Sequence, residues 1–376
     1  MDCDAGWCTS IELGTKQITR VGKTILGCSS VTGGRKKTDE PPVPKRSNTQ
    51  LVTTVIGTMN PYPLRFQPVL KQTIWGGRKL GESLGKPIGS DENYAESWEV
   101  VDHGDDQSVV VDGPLAGATL GDLILQHRDW LLGDTGQETA AQFPLLLKYL
   151  DCNRVLSVQV HPDDAYGANM TVPDRGKTEA WYIVESEPDS LIYAGLKNGV
   201  NRSDLATAVA AGETEKVLHS YHPSAGDVVF IPAGTVHALG AGLLVAEIQQ
   251  SSNTTFRLFD WNRMGADGNP RQLHIDQSLE VSDYDSGPVA PRSSDKSRSG
   301  WQQLVECDKF VLQALENGNA AIGGDNRFHI ITVPRGSAKV GEAELTTGDS
   351  VLLPAAVQSV DVAVSDESTL LEMHLP

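Results

Sequence analysis

Residues 157–164 read SVQVHPDD, and this short stretch is the most informative part of the chain. Successive side chains of an extended strand point to opposite faces. Ser157, Gln159 and His161 therefore share one face, while Val158 and Val160 take the other. A strand with glutamine and histidine on one face and valines on the other is typical of a wall around a polar cavity rather than of a plain apolar core.

Two later stretches supply further metal-capable groups. Residues 176–182 read GKTEAWY and contain Glu179, and residues 232–240 read PAGTVHALG and contain His237. With Gln159 and His161 they offer two nitrogen and two oxygen ligands, which zinc accepts with an exchangeable water completing the site. Taken singly, each histidine is more often an ordinary core or surface residue. Together, on predicted strands, the four predict one mononuclear metal site inside a β-barrel.

Composition and charge exclude some classes of partner. The chain has 376 residues, 39% of them hydrophobic, and a formal net charge of −18. Such a charge repels nucleic acid and anionic membrane surfaces, so neither is an expected partner. No apolar run approaches the ~18–20 residues needed to span a bilayer. The five cysteines form no CxxC pair, which favours a reducing, cytoplasmic location.

The chain divides into four predicted segments. Residues 1–58 lack periodicity and carry eight Lys or Arg against five Asp or Glu, which is typical of a disordered extension. Translation starting at Met59, or a processed targeting arm, are alternatives for this segment. Residues 59–285 are predicted to form a catalytic, metal-binding β domain with helical insertions at 118–133 and 202–218. Residues 286–300 form a polar linker, and residues 301–376 a non-catalytic β domain.

An internal repeat links the two β domains. Residues 226–233 read GDVVFIPA, and residues 348–355 read GDSVLLPA. Five positions past the proline, the first copy has His237 and the second has Ser359. The repeat predicts two related β units. We expect the second to be structural, because it lacks the metal-capable residue.

Cations near the predicted site matter because an anionic substrate of so acidic a protein needs positive charge in its pocket. Lys177 lies two residues before Glu179, and Arg257 and Arg263 follow a strand that carries Glu247. The two arginines either bind phosphate, for which guanidinium offers paired donors, or form surface ion pairs with Asp260. An aromatic residue in the IWGG stretch, Trp75, is either a core side chain or part of a pocket.

From about residue 62 to residue 263 the chain resembles the type I mannose-6-phosphate isomerases, also called phosphomannose isomerases, and in particular their short bacterial form. The motifs that carry the resemblance occur in family order: IWGG, AESWE, FPLLLKYLD, LSVQVHPDD, GKTEAWY, PAGTVHALG and EIQQSSNTTFRLFDWNR. The resemblance implies a mainly β fold of two cupin-type jelly-roll barrels with a few inserted helices.

The resemblance also implies a function and a set of residue roles. The function is interconversion of mannose 6-phosphate and fructose 6-phosphate, with one Zn²⁺ per chain, through a cis-enediol. The implied partner is a small-molecule sugar phosphate, and the implied assembly is a monomer or homodimer. The implied roles fall on these positions: metal ligands His161, Glu179, His237 and Gln159; the active-site arginine Arg257; a phosphate contact at Arg263; and a pocket hydroxyl at Ser157.

Three questions stay open at this stage. The general base that moves the proton is Glu247, Lys177 or a metal-bound water. A non-catalytic sugar-binding cupin would keep the barrel and the pocket but need no base. Another metal-dependent cupin enzyme, such as an oxygenase or epimerase, would more often carry a His-X-His pair, where this chain has Gln159 in the first place.

Overall fold

The computed structural model describes residues 60–134, 141–265 and 267–376, and the expectations for residues 1–58 and for a start at Met59 lie outside the described residues. Within them the fold is mainly β and antiparallel, as predicted. The division into two closed barrels and the domain boundaries at 285/286 and 300/301 stay predictions. No described helix is long and apolar enough to cross a membrane.

The described strands are numbered in chain order. They are β1 Phe66–Gln67, β2 Val69–Gly77, β3 Tyr94–Val100, β4 Asp102–His103, β5 Asp106–Gln107, β6 Val109–Val110, β7 Leu145–Cys152, β8 Val158–Val160, β9 Glu179–Ser186, β10 Ile192–Leu196, β11 Leu218–Tyr221, β12 Asp227–Ile231, β13 His237–Leu239, β14 Leu243–Gln250, β15 Phe256–Phe259, β16 Arg292–Ser293, β17 Gln302–Glu306, β18 Val311–Leu315, β19 Asn319–Ile322, β20 His329–Arg335, β21 Ser337–Val340, β22 Ala343–Thr346, β23 Ser350–Leu353, β24 Val360–Val364 and β25 Thr369–His374. The helices are α1 Lys79–Glu82, α2 Leu120–Leu132, α3 Asp164–Ala168, α4 Arg202–Ala211 and α5 Ile275–Val281, with a 3₁₀ turn at Thr214–Lys216.

Four larger sheets account for most of the strands. In the first part of the chain a seven-stranded sheet has the order β16-β12-β9-β14-β7-β3-β2, and a five-stranded sheet has the order β11-β10-β13-β8-β15. In the last part a five-stranded sheet has the order β17-β18-β25-β20-β23, and a four-stranded sheet has the order β19-β24-β21-β22. Strand β16 comes from the predicted linker and pairs with β12, so part of that segment belongs to the first sheet.

Strand β7 shows how the cores are divided. It is buried on both faces, and its side chains alternate between them as the period of two requires. Leu145, Leu147 and Tyr149 face a large core shared with α2 and the C-terminal sheet. Leu150 and Cys152 face the core between the first two sheets. Lys148 lies on that second face and therefore points toward the space between those sheets.

The internal repeat has a structural counterpart. Gly226 and Gly348 each adopt a positive φ, of 96° and 90°, in the turn before a strand that carries the repeated sequence. Those φ values suit glycine, because a β-carbon would be strained there. At Gly348 a β-carbon would also lie 2.1 Å from the carbonyl oxygen of Leu84. The two copies thus share the turn as well as the strand.

Both helices predicted from periodicity are present, with one difference in length. The prediction of 118–133 corresponds to α2, which ends at Gly133. The prediction of 202–218 was too long, because α4 ends where Gly212 takes a left-handed φ of 70°. A left-handed glycine is a common helix stop.

Helix α2 begins with a reciprocal cap that can be tested. The Thr119 hydroxyl accepts from the Asp122 amide at 3.0 Å, and the Asp122 carboxylate accepts from the Thr119 amide at 3.3 Å. Replacing Thr119 by Ala removes the first bond and should lower the free energy of unfolding by about 1 kcal/mol in urea denaturation. Thr119→Ser keeps a hydroxyl and is the matched control. Equal losses in the two variants would contradict a stabilising role for this bond.

Candidate metal centre

The structure brings together three of the four predicted ligands. His161 follows β8, Glu179 begins β9 and His237 begins β13, so three separated segments each contribute one side chain. The metal-capable atoms of the three lie within 4.8 Å of one another, and each side chain is 99% buried. Polar side chains this deeply buried require partners.

Hydrogen bonds fix which imidazole nitrogen is free. His161 Nδ1–H donates to the Thr254 carbonyl at 2.9 Å, and His237 Nδ1–H donates to the Thr235 carbonyl at 2.9 Å. A carbonyl oxygen only accepts, so the proton sits on Nδ1 and the lone pair on Nε2 in both rings. This is the usual way in which proteins orient a histidine that binds a metal.

Both Nε2 atoms lie near the same carboxylate, and His161 Nε2 also lies 3.3 Å from the Lys177 ammonium. His161 Nε2 lies 3.5 Å from Glu179 Oε2, and His237 Nε2 lies 3.4 Å from Glu179 Oε1. No hydrogen bond reaches Glu179 Oε2, although the Lys177 ammonium lies 2.8 Å from it. Two ligands on a tetrahedral zinc ion lie about 3.4 Å apart at ordinary bond lengths. The spacing of these ligand atoms therefore fits a divalent ion.

The protonation states agree with this fit. Burial and the charge of Lys177 hold the pKa of His161 well below its usual value. Burial also lowers the pKa of His237, against the opposing charge of Glu179. For Glu179, burial alone would raise the pKa, but the charge and hydrogen bond of Lys177 help to lower it. The three groups are thus deprotonated near neutral pH, as metal binding requires.

Gln159 lies beside the three, but its amide oxygen is not in a ligating position. Its amide nitrogen is 3.3 Å from His237 Nε2, and its amide oxygen accepts a hydrogen bond from Ser157 at 3.3 Å. A rotation of the amide by half a turn exchanges these two atoms. The assignment of Gln159 as a fourth ligand stays a prediction.

Two rows of side chains meet at the cavity next to the cluster. In the five-stranded sheet, His237 pairs with Gln159 and Gln159 pairs with Arg257. In the seven-stranded sheet, Glu247 pairs with both Lys148 and Trp181. Both rows line one cavity of about 350 Å³. The predicted residues in its wall are Trp75, Ser157, Gln159, Lys177, His237, Glu247 and Arg257.

A buried ionic network lies along one side of the cavity. The Lys148 ammonium lies 3.0 Å from Glu247 Oε1 and 3.3 Å from Glu96 Oε2. Lys177 reaches the same Glu247 oxygen at 3.4 Å and Glu179 at 2.8 Å. Burial alone would lower the pKa of Lys148, but the carboxylates of Glu247 and Glu96 outweigh it and raise the pKa. Buried charges are costly, so a network of them beside a cavity indicates a functional site.

Sequence reasoning missed Lys148, although its signal was visible. It is a lone lysine in the apolar run LLLKYL, and a charge inside such a strand is rarely buried without partners. Glu96, in the AESWE motif, was likewise assigned no role from the sequence. Its carboxylate also accepts from the Trp98 indole at 2.8 Å.

Arginine side chains form another part of the cavity wall, but they are not the predicted pair. Arg257 lines the cavity, whereas Arg263 turns to Asp260, with Nε 3.0 Å from Oδ1, and to the Val155 carbonyl. Arg271, which was not predicted, lines the cavity and pairs with Asp260 at 2.7 Å. The alternative reading of Arg263 as an ion-pair partner of Asp260 thus matches its contacts.

The comparisons with known proteins agree with this site. A family model described as phosphomannose isomerase type I, catalytic domain, matches residues 64–189. The mannose-6-phosphate isomerase ManA of Bacillus subtilis is 36% identical over 303 residues, which cover 79% of this chain and 94% of the relative. The chain belongs to the type I phosphomannose isomerase family. It is therefore an isomerase, and the alternatives of a non-catalytic sugar-binding cupin and of another metal-dependent cupin enzyme are disfavoured.

Other members of the phosphomannose isomerase family match over a similar length. The probable mannose-6-phosphate isomerase GmuF of Bacillus subtilis is 39% identical over 301 residues, covering 78% of this chain and 94% of the relative. The crystal structure of the mannose 6-phosphate isomerase from Bacillus subtilis superposes with a TM-score of 0.75 at 32% identity. It covers 83% of this chain and 99% of that chain. Sequence and fold thus lead to the same family.

The metal centre can be tested by removing one ligand charge. Glu179→Gln keeps the shape of the side chain but removes the charge that faces both imidazoles. The affinity of this site for Zn²⁺ should fall by more than about 100-fold, since residues that only contact a metal ligand already contribute 10- to 100-fold. Competition with a chromophoric chelator measures it. Glu185→Gln, at a half-buried position near the other end of the same strand, is the control, and equal affinities in the two variants would contradict the assignment.

Proposed function

We propose that this chain is a zinc-dependent aldose–ketose isomerase that interconverts mannose 6-phosphate and fructose 6-phosphate, with one catalytic Zn²⁺ per chain. The observation that carries the proposal is the pair of imidazole lone pairs facing Glu179 beside a cavity that also holds arginines. The names of the relatives support the substrate. The cavity volume falls in the range of about 300–1,000 Å³ that is usual for small-molecule sites.

His161, Glu179 and His237 would hold the ion, with Gln159 as the candidate fourth protein ligand. When bound, Zn²⁺ polarises the sugar carbonyl and stabilises the negative charge that develops on its oxygen. The reaction moves one hydrogen from C2 to C1 and another from the C2 hydroxyl to the C1 oxygen, through a cis-enediol. The protein must therefore supply a group that takes a proton from C2 and returns it to C1.

Glu247 is the better candidate for that base. Its carboxylate can accept a proton, and the indole of Trp181 fixes it by donating to Oε2 at 3.1 Å. Lys177 contacts two carboxylates as an ammonium, so it is suited to donate a hydrogen bond or proton to the substrate oxygens. The 3.4 Å contact between Lys177 and Glu247 makes them a coupled pair for proton transfer.

The phosphate group would bind among the arginines. Arg257 and Arg271 both line the cavity, and the Nε of Arg257 is buried with no hydrogen-bond partner. Burial and the nearby charge of Arg271 lower the pKa of Arg257. Arg263 and Arg271 both form an ion pair with Asp260. Two guanidinium charges therefore face one carboxylate, which leaves an excess of positive charge. This is the local cation cluster that an anionic substrate requires in a chain of net charge −18.

Ser157 and Trp75 would complete the substrate-binding wall. Both line the cavity, and Trp75 is 94% buried. Free thiols at Cys152 and Cys307 support the predicted cytoplasmic location. A monomer or homodimer stays the prediction for the assembly.

The function is tested by a coupled assay for fructose 6-phosphate formation from mannose 6-phosphate, run beside unphosphorylated mannose. We expect turnover of the phosphorylated sugar, loss of that turnover after chelation, and its recovery with added Zn²⁺. The chelator removes the group that stabilises the developing oxyanion. Full activity of the metal-free protein would contradict zinc dependence, and no activity in any metal state would contradict the reaction.

The phosphate subsite is tested by Arg271→Gln. Losing one charge-assisted contact of 1.5–3 kcal/mol should raise KM for mannose 6-phosphate about tenfold or more, with a smaller change in kcat. Arg335→Gln, at an exposed position, is the control and should leave both constants unchanged. A fall in kcat with constant KM would place Arg271 in the chemical step instead.

A further inference from the structure

A second cluster of metal-capable side chains lies in the C-terminal sheets. His329 begins β20, and Glu372 and His374 end the neighbouring strand β25. Their metal-capable atoms lie within 4.8 Å of one another. From the sequence we expect this unit to be structural, because Ser359 stands where the first copy of the repeat has His237. The three residues of this cluster lie at strand ends outside the repeat, so that comparison did not reach them.

The two imidazoles converge on one carboxylate. His329 Nδ1 lies 2.7 Å from Glu372 Oε1, and His374 Nδ1 lies 2.8 Å from the same oxygen. Glu372 is 98% buried and His329 is 95% buried. A buried carboxylate that receives two histidines from adjacent strands has the donor set of a zinc-type site, two nitrogens and an oxygen.

The other nitrogen of His329 supplies a second, independent observation. His329 Nε2 lies 3.0 Å from Asp325 Oδ1. With a metal on Nδ1, the Nε2 proton would donate to Asp325, which gives the carboxylate–histidine–metal arrangement that orients many ligating histidines. Without a metal, both nitrogens of His329 face carboxylates, so the ring must carry two protons to satisfy them.

The cluster is also reachable. A cavity of about 240 Å³ is lined by all four residues together with Trp301 and Gln313. Solvent in that cavity can complete the coordination of an ion held by three protein ligands. We propose that His329 Nδ1, His374 Nδ1 and the Glu372 carboxylate form a second binding site for a zinc-like divalent cation, with Asp325 positioning His329.

The spacing sets the order of the two affinities. Ligands on a tetrahedral zinc ion lie about 3.4 Å apart, so the atoms of this second site, now at hydrogen-bond distance, must separate by about 0.6 Å. At the first centre the corresponding distances are already 3.4 and 3.5 Å. The second site therefore binds metal more weakly than the first.

The test is a Zn²⁺ titration of the full-length protein after chelator treatment and dialysis, by calorimetry and by elemental analysis. We expect two ions per chain, bound in a tighter and a weaker step. His374→Gln should lose the weaker step and keep isomerase activity, because the residue does not touch the catalytic cavity. His237→Ala should lose the tighter step and keep the weaker one. His219→Gln is the control for removing a histidine and should keep both.

Asp325→Asn gives a second measure that does not depend on how His374→Gln folds. It leaves all three ligands in place, and we expect the weaker step to lose about 10- to 100-fold in affinity. One ion per chain in the wild type, lost in His237→Ala, would overturn the second site and leave a protonated ion-pair cluster. One ion lost in His374→Gln but not in His237→Ala would instead uphold the second site and overturn the proposed catalytic centre.

Discussion

The structure depends on an electrostatic constraint in its first pair of sheets. Two imidazole lone pairs and a carboxylate are buried together, because each Nδ1 proton is already given to a backbone carbonyl. Such an arrangement repels itself unless positive charge is supplied. Lys177 supplies part of that charge, and a divalent ion would supply the rest. The neighbouring lysines and carboxylates share the same enclosed space, so the site is linked electrostatically to the candidate base.

Position in the fold explains how so much charge can be buried. In the seven-stranded sheet the strands that carry the charges, β7, β9 and β14, are central and pack on their other face against the core shared with α2 and the C-terminal sheet, whereas β8 and β13 pack against a core with α4 and α5. That packing holds the strand register, and register decides which side chains meet. The C-terminal sheets therefore support the site through packing, whatever ion they bind themselves. The cluster of arginines at the cavity provides the positive charge that an anionic substrate needs, because the protein as a whole is strongly negative.

Sequence reasoning reached the parts of the site that follow from strand periodicity and from family motifs. The shared face of Ser157, Gln159 and His161 is an example, since a period of two fixes it without knowledge of the fold. Arg271 could not be reached in this way, because its distance from the cavity depends on a loop that folds back toward Asp260. The second cluster was missed for a related reason: sheet pairing of β20 with β25, not sequence spacing, brings His329 to Glu372.

The central claim is that His161, Glu179 and His237 bind one metal ion beside the cavity. Anomalous X-ray diffraction at the zinc edge, from crystals grown with one equivalent of Zn²⁺, tests it most directly. The account predicts a strong peak bonded to both Nε2 atoms and to the Glu179 carboxylate. The absence of density there, with the two imidazoles turned apart or the zinc bound only elsewhere, would contradict it.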